Sequence, residues 1–232
     1  MTQGQSLVKG DTLQKTSSAG FVLGALLIAG SGLLMPHANT PTSDLQQMLR
    51  PLGEHEFLTQ LSSLLIAIGF WAVMLGAMGI YRSINAGGSA WAQMGFSFVL
   101  IGTVLWTVSL SGDVAVASNV SNWLAAPADS KEAMWSAIAA LSVSGRGLLA
   151  VTWMIYWLGL AFLGVAMIQS DIYPRRLGWV GLIVSIPVMA LGAIQAFVPR
   201  SITLTLIFSM LMILTTLWNL ATGVWVARRV WS

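Results

Sequence analysis

Six long apolar segments constrain the fold of this chain more than any other feature. They span approximately residues 19–35, 57–81, 91–111, 147–168, 177–198 and 201–227. A helix needs about 20 apolar residues to cross about 30 Å of hydrocarbon. The segments are apolar on all sides and show no alternation of period two, which disfavours surface helices and a β-barrel. The sequence therefore predicts an all-α fold, a polytopic bundle of six transmembrane helices.

The scarcity of charge supports the same class. Only 8% of the 232 residues are charged, whereas soluble domains carry about 25%. The net charge of +3 is too small and too scattered for nucleic-acid binding. The expected partner is the lipid bilayer, with other membrane protein subunits as a second class. The absence of cysteine excludes disulfides, thiolate catalysis and Cys-ligated metals.

The basic residues predict an orientation. If the amino terminus lies inside, seven of the 11 Lys and Arg side chains fall inside and four outside. This positive-inside pattern predicts that both termini are cytoplasmic. The inner set is Lys9, Lys15, Arg82, Arg175, Arg176, Arg228 and Arg229, and the outer set is Arg50, Lys131, Arg146 and Arg200.

The expected organisation is a polar tail (1–18), one transmembrane domain (19–229) and a short end (230–232). Lys9 and Lys15 before the first apolar run resemble a signal peptide, but the residues after it make a poor cleavage site, so we interpret this run as the first span. The domain has two long outer connections, 36–56 and 112–146.

Each outer connection carries a helix signal. Residues 43–50 begin with Ser and Asp and precede Pro51, which predicts a short amphipathic helix on the membrane surface. In the second connection, Asp129 and Glu132 have capping-box spacing after Pro127, so a helix is expected to begin there. Two alternatives stay open for 133–144: an interfacial helix, or part of a long fourth helix.

Groups that perform chemistry inside membranes are missing from the spans. No lysine, no deep histidine and no mid-membrane carboxylate occurs there, which disfavours retinal attachment, haem ligation and a carboxylate proton relay. No catalytic residue is predicted, no cofactor is identified, and an enzyme is disfavoured. The leading hypothesis is a non-catalytic accessory or scaffold subunit that packs against partner membrane proteins. The alternative is a small transporter or binder of a lipid-like or other hydrophobic molecule, in a cavity lined by Gln60, Gln195, Asn219 and Thr215.

Two polar groups near the predicted outer side need an explanation. His37 and His55, with Glu54 and Glu56, could hold Zn²⁺ or Cu²⁺, but a solvated helix entrance is the favoured interpretation and no metal is predicted. Asp113 and Arg146 end the third span and begin the fourth, so we expect them to pair. Snorkelling to headgroups and a substrate-binding role are the alternatives.

Tryptophans lie where the segments are expected to meet the headgroups. Trp91, Trp179 and Trp225 fall near the inner boundary, and Trp106, Trp123 and Trp135 fall near the outer one. Trp71, Trp153 and Trp157 lie deeper and are expected to pack between helices.

The junction from Tyr173 to Val184 contains the pattern Pro-Arg-x-Leu-Gly-Trp-x-Gly-Leu. This pattern resembles that of an uncharacterised family of small bacterial six-helix membrane proteins. The resemblance covers residues 155–229 best. It implies a six-helix fold in a bacterial inner membrane, and it carries no known activity that could be transferred to a residue.

Overall fold

A computed structural model describes residues 12–36, 44–85, 89–197 and 202–231, and this part of the chain forms seven helices. Six of them are long and apolar enough to cross a membrane, which confirms the predicted fold class. The helices are α1 (Thr12–Leu34), α2 (Leu45–Glu54), α3 (Glu56–Asn85), α4 (Ala90–Ala125), α5 (Ala128–Gln169), α6 (Arg175–Phe197) and α7 (Ile202–Val230).

The six long helices form a closed ring in chain order, because each packs on the next and α7 returns to pack on α1. Neighbours are antiparallel: along α3 and α4, for example, Gln60 bonds Ser118 and Trp71 bonds Thr107. The ring therefore has two ends. We call the end with Thr12 and Val230 the terminal end, and the opposite end, where α4 turns into α5, the hairpin end. Lys15 lies 5.5 Å from the ring of Trp231, so both described termini share one end.

Glycines bring neighbouring helices into backbone contact. A Cβ built on Gly24 of α1 would lie 2.6 Å from the carbonyl oxygen of Gly69 on α3. Gly164 of α5 and Gly178 of α6 oppose each other in the same way, with 2.8 Å from the Cβ of Gly164 to the Gly178 oxygen. Small residues at such crossings allow the close packing that holds helices together in lipid, where the hydrophobic effect between helices is weak.

Helix α1 begins at Thr12, earlier than the predicted start at residue 19. The additional turns contain polar residues that the hydropathy pattern excludes from a span. Two of these residues bond the backbone of α3: Gln14 Nε2 donates to Gly79 O (3.2 Å), and Ser17 Oγ donates to Gly76 O (2.8 Å). Tertiary hydrogen bonds therefore hold against α3 polar side chains that the sequence alone places outside the bundle.

The region 112–146 is helical rather than a long loop. Helix α4 continues to Ala125 and α5 begins at Ala128, so residues 133–144 belong to one long fourth spanning helix. Pro127 is the N-cap and makes no side-chain capping bond, which differs from the capping box predicted at Asp129. Because α4 and α5 have 36 and 42 residues, each exceeds the roughly 20 residues that cross the hydrocarbon. Their hairpin therefore extends beyond it.

The predicted short helix before the second span is present as α2, with Asp44 as its N-cap: Gln46 N donates to Asp44 Oδ1 (2.9 Å). It does not end before Pro51, because His55 N donates to Pro51 O and continues the helix. Instead of lying free on the membrane surface, α2 packs on α4, with Leu49 buried. The second small core at this end comprises Leu49, Val116, Val120, Trp123 and Ile138.

Candidate functional site in the helix interior

Six aromatic side chains from four helices form a continuous row across the inside of the ring, which we call the aromatic layer. On one side Phe70 stacks on Trp106, with ring centroids 4.5 Å apart, and meets Tyr156 edge-on at 5.1 Å. Both Trp106 and Tyr156 also contact Trp157, at 6.1 and 5.1 Å. The layer comprises Phe70, Trp106, Tyr156, Trp157, Trp153 and Phe208.

The row reaches α7 through a second stack. Phe208 lies edge-on to Trp157 at 6.2 Å and stacks on Trp153, with centroids 3.5 Å apart and planes 5° from parallel. Gly192 of α6 allows Trp153 to fit here, because a Cβ at residue 192 would lie 2.9 Å from the Cβ of Trp153. The layer thus connects α3, α4, α5 and α7.

Three hydrogen-bond donors of the aromatic layer are buried and have no partner among the described residues: the indole N–H groups of Trp106 and Trp153 and the hydroxyl of Tyr156. Their side chains are 7%, 4% and 1% exposed. Trp157 is different, because its N–H donates to Thr215 Oγ1 at 3.3 Å. Buried polar groups in folded proteins are nearly always bonded, so three unpaired donors in one connected set of rings need an explanation.

Helix α7 carries buried acceptors at and next to the layer. Thr215 accepts from Trp157 and donates to Leu211 O (2.9 Å). One turn further, Asn219 is 2% exposed, and its Oδ1 has no hydrogen-bond partner among the described residues. The layer itself contains no carboxylate, lysine or histidine. Its stacked rings and buried N–H and O–H donors can bind a ligand by stacking and by hydrogen bonds.

The structure separates the residues predicted to line one cavity. Thr215 lies beside the aromatic layer, and Asn219 is buried one turn further along α7. Gln60 lies at the hairpin end, where its Nε2 donates to Glu56 Oε1 (2.9 Å) and Ser118 Oγ (3.1 Å). Gln60 therefore links α3 to α4 at the hairpin end and does not lie beside the aromatic layer. The side chain of Gln195 lies outside the described residues.

The carboxylates beside His55 have partners other than a metal. Glu54 pairs with Arg50 (2.7 Å), and Glu56 Oε1 accepts from Ser118 Oγ (2.6 Å). His55 caps the end of α2 and is exposed. In the parts of the chain that the structure describes, no three His, Asp or Glu side chains are grouped as metal ligands. His37 lies outside these parts, so its role stays a prediction.

The helix register places Asp113 and Arg146 level with each other. On the same two helices, Ser109 Oγ lies 3.3 Å from Thr152 Oγ1, and Trp123 contacts Trp135 at 5.4 Å. Asp113 and Arg146 fall between these two pairs, and both are half-buried. The short connection makes α4 and α5 adjacent, which direct pairing requires; the pair itself stays a prediction.

Sequence reasoning missed Trp106 as an interior residue, because its position near the end of an apolar segment suggested an interfacial anchor. In the structure Trp106 faces α5 and the ring interior. Helical spacing is the signal that could have found it. Gly95, Gly102 and Trp106 fall on one stripe of α4, and both glycines meet the α5 backbone.

The fold and this interior site define the class of the protein: it is a multi-pass α-helical integral membrane protein. A family model described as "Domain of unknown function (DUF4386)" matches residues 16–228, and the chain belongs to this family. The match extends the resemblance seen at 155–229 to nearly the whole chain. No curated protein and no solved structure matches it.

Proposed function

We propose that this protein binds an apolar small molecule inside the helix ring, next to the aromatic layer. The observation that carries the proposal is the set of three buried donors, Trp106 Nε1, Trp153 Nε1 and Tyr156 Oη, which have no partner among the described residues. The ligand class that fits is lipid-like: a largely apolar body with carbonyl or ether oxygens that accept hydrogen bonds.

The physical reason is the cost of the unpaired donors. A buried donor without an acceptor costs about 1–3 kcal/mol, and the hydrocarbon chains of the bilayer carry no acceptor that could supply the missing bond. A ligand oxygen would satisfy an indole or phenol donor, while the rings around it would bury the ligand's apolar body. Binding sites for small molecules combine these two features, aromatic walls and a few directed polar groups.

The decisive experiment removes two of the three donors and keeps an aromatic ring at each position. Full-length protein is purified in mild detergent, and the apolar compounds that co-purify are extracted and quantified by mass spectrometry. Trp106→Phe combined with Tyr156→Phe should reduce a specific compound about tenfold, a loss that corresponds to about 1.4 kcal/mol. Trp71→Phe is the matched control, because Trp71 is 45% exposed and its N–H already donates to Thr107.

Tyr156→Phe alone separates binding from a structural role, because it removes the hydroxyl and leaves the ring unchanged. If the donors serve a ligand, this change relieves an unpaired buried group, so ligand-free Tyr156→Phe should melt no lower than the ligand-free wild type. Equal amounts of the same compounds in the double variant and the wild type would contradict the proposal.

An accessory or scaffold role is the second candidate, and one observation favours it. On the part of α5 near the hairpin, Leu141 and Val143 are 38% and 54% exposed, and a Cβ at Gly145 or Gly147 would meet nothing within 4 Å. This face could accept a helix of another membrane protein. A photo-crosslinker at Val143 should then capture one integral membrane protein that a crosslinker at the exposed Ile183 on α6 does not capture. Identical products at both positions would contradict docking at this face.

We further propose that the protein lies in a bacterial inner membrane with both termini on the cytoplasmic side. The support for this placement is the positive-inside pattern and the resemblance at the junction that precedes α6.

A further inference from the structure

The terminal end of the bundle carries a one-sided charge. Its described side chains include six cations but only one acidic group, Asp171. The other acidic side chains of the described residues lie in α2 or at its N-cap, at the start of α3, or in the α4–α5 hairpin. The six cations are Lys15, Arg82, Arg175, Arg176, Arg228 and Arg229.

Tyr173 brings three of the elements that carry these cations together. It lies in the connection from α5 to α6, is 3% exposed, and its hydroxyl is 2.8 Å from Ser83 Oγ on α3. Its ring also contacts Trp225 on α7 at 5.2 Å. The tyrosine is therefore a buried junction between α3, α7 and the start of α6.

Three of the cations lie next to the residues that form this junction. Arg82 precedes Ser83, Arg175 begins α6 two residues after Tyr173, and the Arg229 guanidinium lies 5.1 Å from the Trp225 ring. Arg82, Arg175 and Arg229 are all exposed. Arginine forms bidentate hydrogen bonds with phosphate oxygens, and three arginines on three elements that meet at Tyr173 favour an anionic ligand at this end.

The surface next to these arginines is apolar and faces outward. Along α6, Trp179, Val180 and Ile183 are 52%, 45% and 63% exposed. A phosphate held at Arg175 would thus lie at the head of an apolar strip that continues toward the hairpin end. This arrangement fits a molecule with an anionic head and long chains better than a free phosphate ion.

We propose that the terminal end binds the phosphate of an anionic phospholipid between Arg82, Arg175 and Arg229, with its acyl chains along the exposed strip of α6. The site is separate from the aromatic layer and does not depend on the function proposed above. Bound lipid stabilises the folded bundle, because it binds the native arrangement of three elements that unfolding separates.

The test is the thermal midpoint of the full chain in detergent micelles doped with either phosphatidylglycerol or phosphatidylcholine. Phosphatidylglycerol at about ten times its Kd should raise the midpoint by about 3–5 °C relative to phosphatidylcholine. Arg82→Gln combined with Arg175→Gln should reduce this difference by at least half. Arg50→Gln combined with Lys131→Gln removes the same charge at the hairpin end and should retain the full difference.

A charge-preserving variant and a soluble phosphate ligand show what causes the shift in the thermal midpoint. The variant Arg82→Lys with Arg175→Lys keeps the charge, and should keep most of the shift even if the glutamine variant folds poorly. The proposal would be overturned by an equal midpoint in both lipids, by a full shift in the glutamine variant, or by loss of the shift in the hairpin-end control. An equal shift produced by inorganic phosphate alone would also overturn it, since that result would assign a site for soluble phosphate.

Discussion

Gly102 of α4 lies directly against Tyr156 of α5: a Cβ on Gly102 would be 2.6 Å from the Tyr156 Cα and 2.7 Å from its Cβ. Tyr156 is 1% exposed and carries one of the unpaired donors of the aromatic layer. The absence of a side chain at residue 102 therefore sets the distance between two helices and the position of the candidate site.

The first prediction follows from this contact. Gly102→Ala should destabilise the bundle by about 1–3 kcal/mol, because the added methyl group overlaps the backbone of Tyr156 and the helices must separate. Gly112→Ala, on the same helix, is the control: a Cβ there meets nothing within 4 Å. It should be neutral or stabilising by up to about 1 kcal/mol. Unfolding in mixed micelles measures both, and equal effects of the two substitutions would contradict the assigned packing.

The second prediction concerns Asp113 and Arg146, which the register places level on α4 and α5. Arg146→Ala and Asp113→Ala should each lower the thermal midpoint in detergent. The double variant should lose less than the sum of the two losses, because removing both charges leaves neither one without its partner. Strictly additive losses in this double-mutant cycle would show that the two side chains act independently.

The third prediction is a dependence of stability on alkaline pH at Tyr173. Burial raises the pKa of Tyr173 to about 12. The Ser83 hydroxyl already donates to Ile80 O (2.9 Å), so Tyr173 is the donor in their bond. Ionisation of Tyr173 removes that donor.

The direction of the effect follows from linkage. The pKa of this tyrosine is about 10 when unfolded, so its contribution to stability is complete below pH 10 and is lost as the pH rises through about 12. Tyr173→Phe should lower stability at pH 8 by about 0.5–1.5 kcal/mol and flatten the decline between pH 10 and 12. A decline of unchanged steepness in the variant would assign the alkaline loss to other groups.

The fourth prediction tests the orientation of the bundle. The chain contains no cysteine, so single cysteines can be introduced without background. In intact cells, a cysteine at the exposed Ala125 should react with an impermeant maleimide, whereas a cysteine at the exposed Asp171 should react only after the membrane is opened. The reverse pattern would invert the predicted topology.

Local sequence signals predicted part of the fold well. All six apolar segments correspond to spanning helices, and Asp44 begins the predicted helix before the second span. The helix bounds were less accurate. Residues 112–125 and 128–146 contain many small and polar side chains, which a hydropathy window interprets as a connection. In the structure these residues pack against each other and against α2, and that packing maintains the helices.

The candidate site was predicted less well than the fold. Thr215 and Asn219 were identified as interior polar groups, but Gln60 proved to bond Glu56 and Ser118 at the hairpin end. Trp153 and Trp157 were expected to pack between helices, and both are buried. No member of the aromatic layer was nominated as a binding residue, because an unpaired donor is a property of the surroundings. The sequences around Trp106 and Trp157 do not show that the N–H of Trp157 meets Thr215 while that of Trp106 meets no partner among the described residues.

The sequence by itself determined that this chain has six helices able to cross a membrane, because the transfer of a helix into lipid depends on the side chains of that one segment. Only the tertiary structure decided that the helices close into a ring in chain order, that Gly102 admits Tyr156, and that Gln14 and Ser17 extend α1. These features depend on contacts between segments far apart in the chain. In lipid such contacts arise from close packing and hydrogen bonding, neither of which can be inferred from the hydrophobicity of either segment alone.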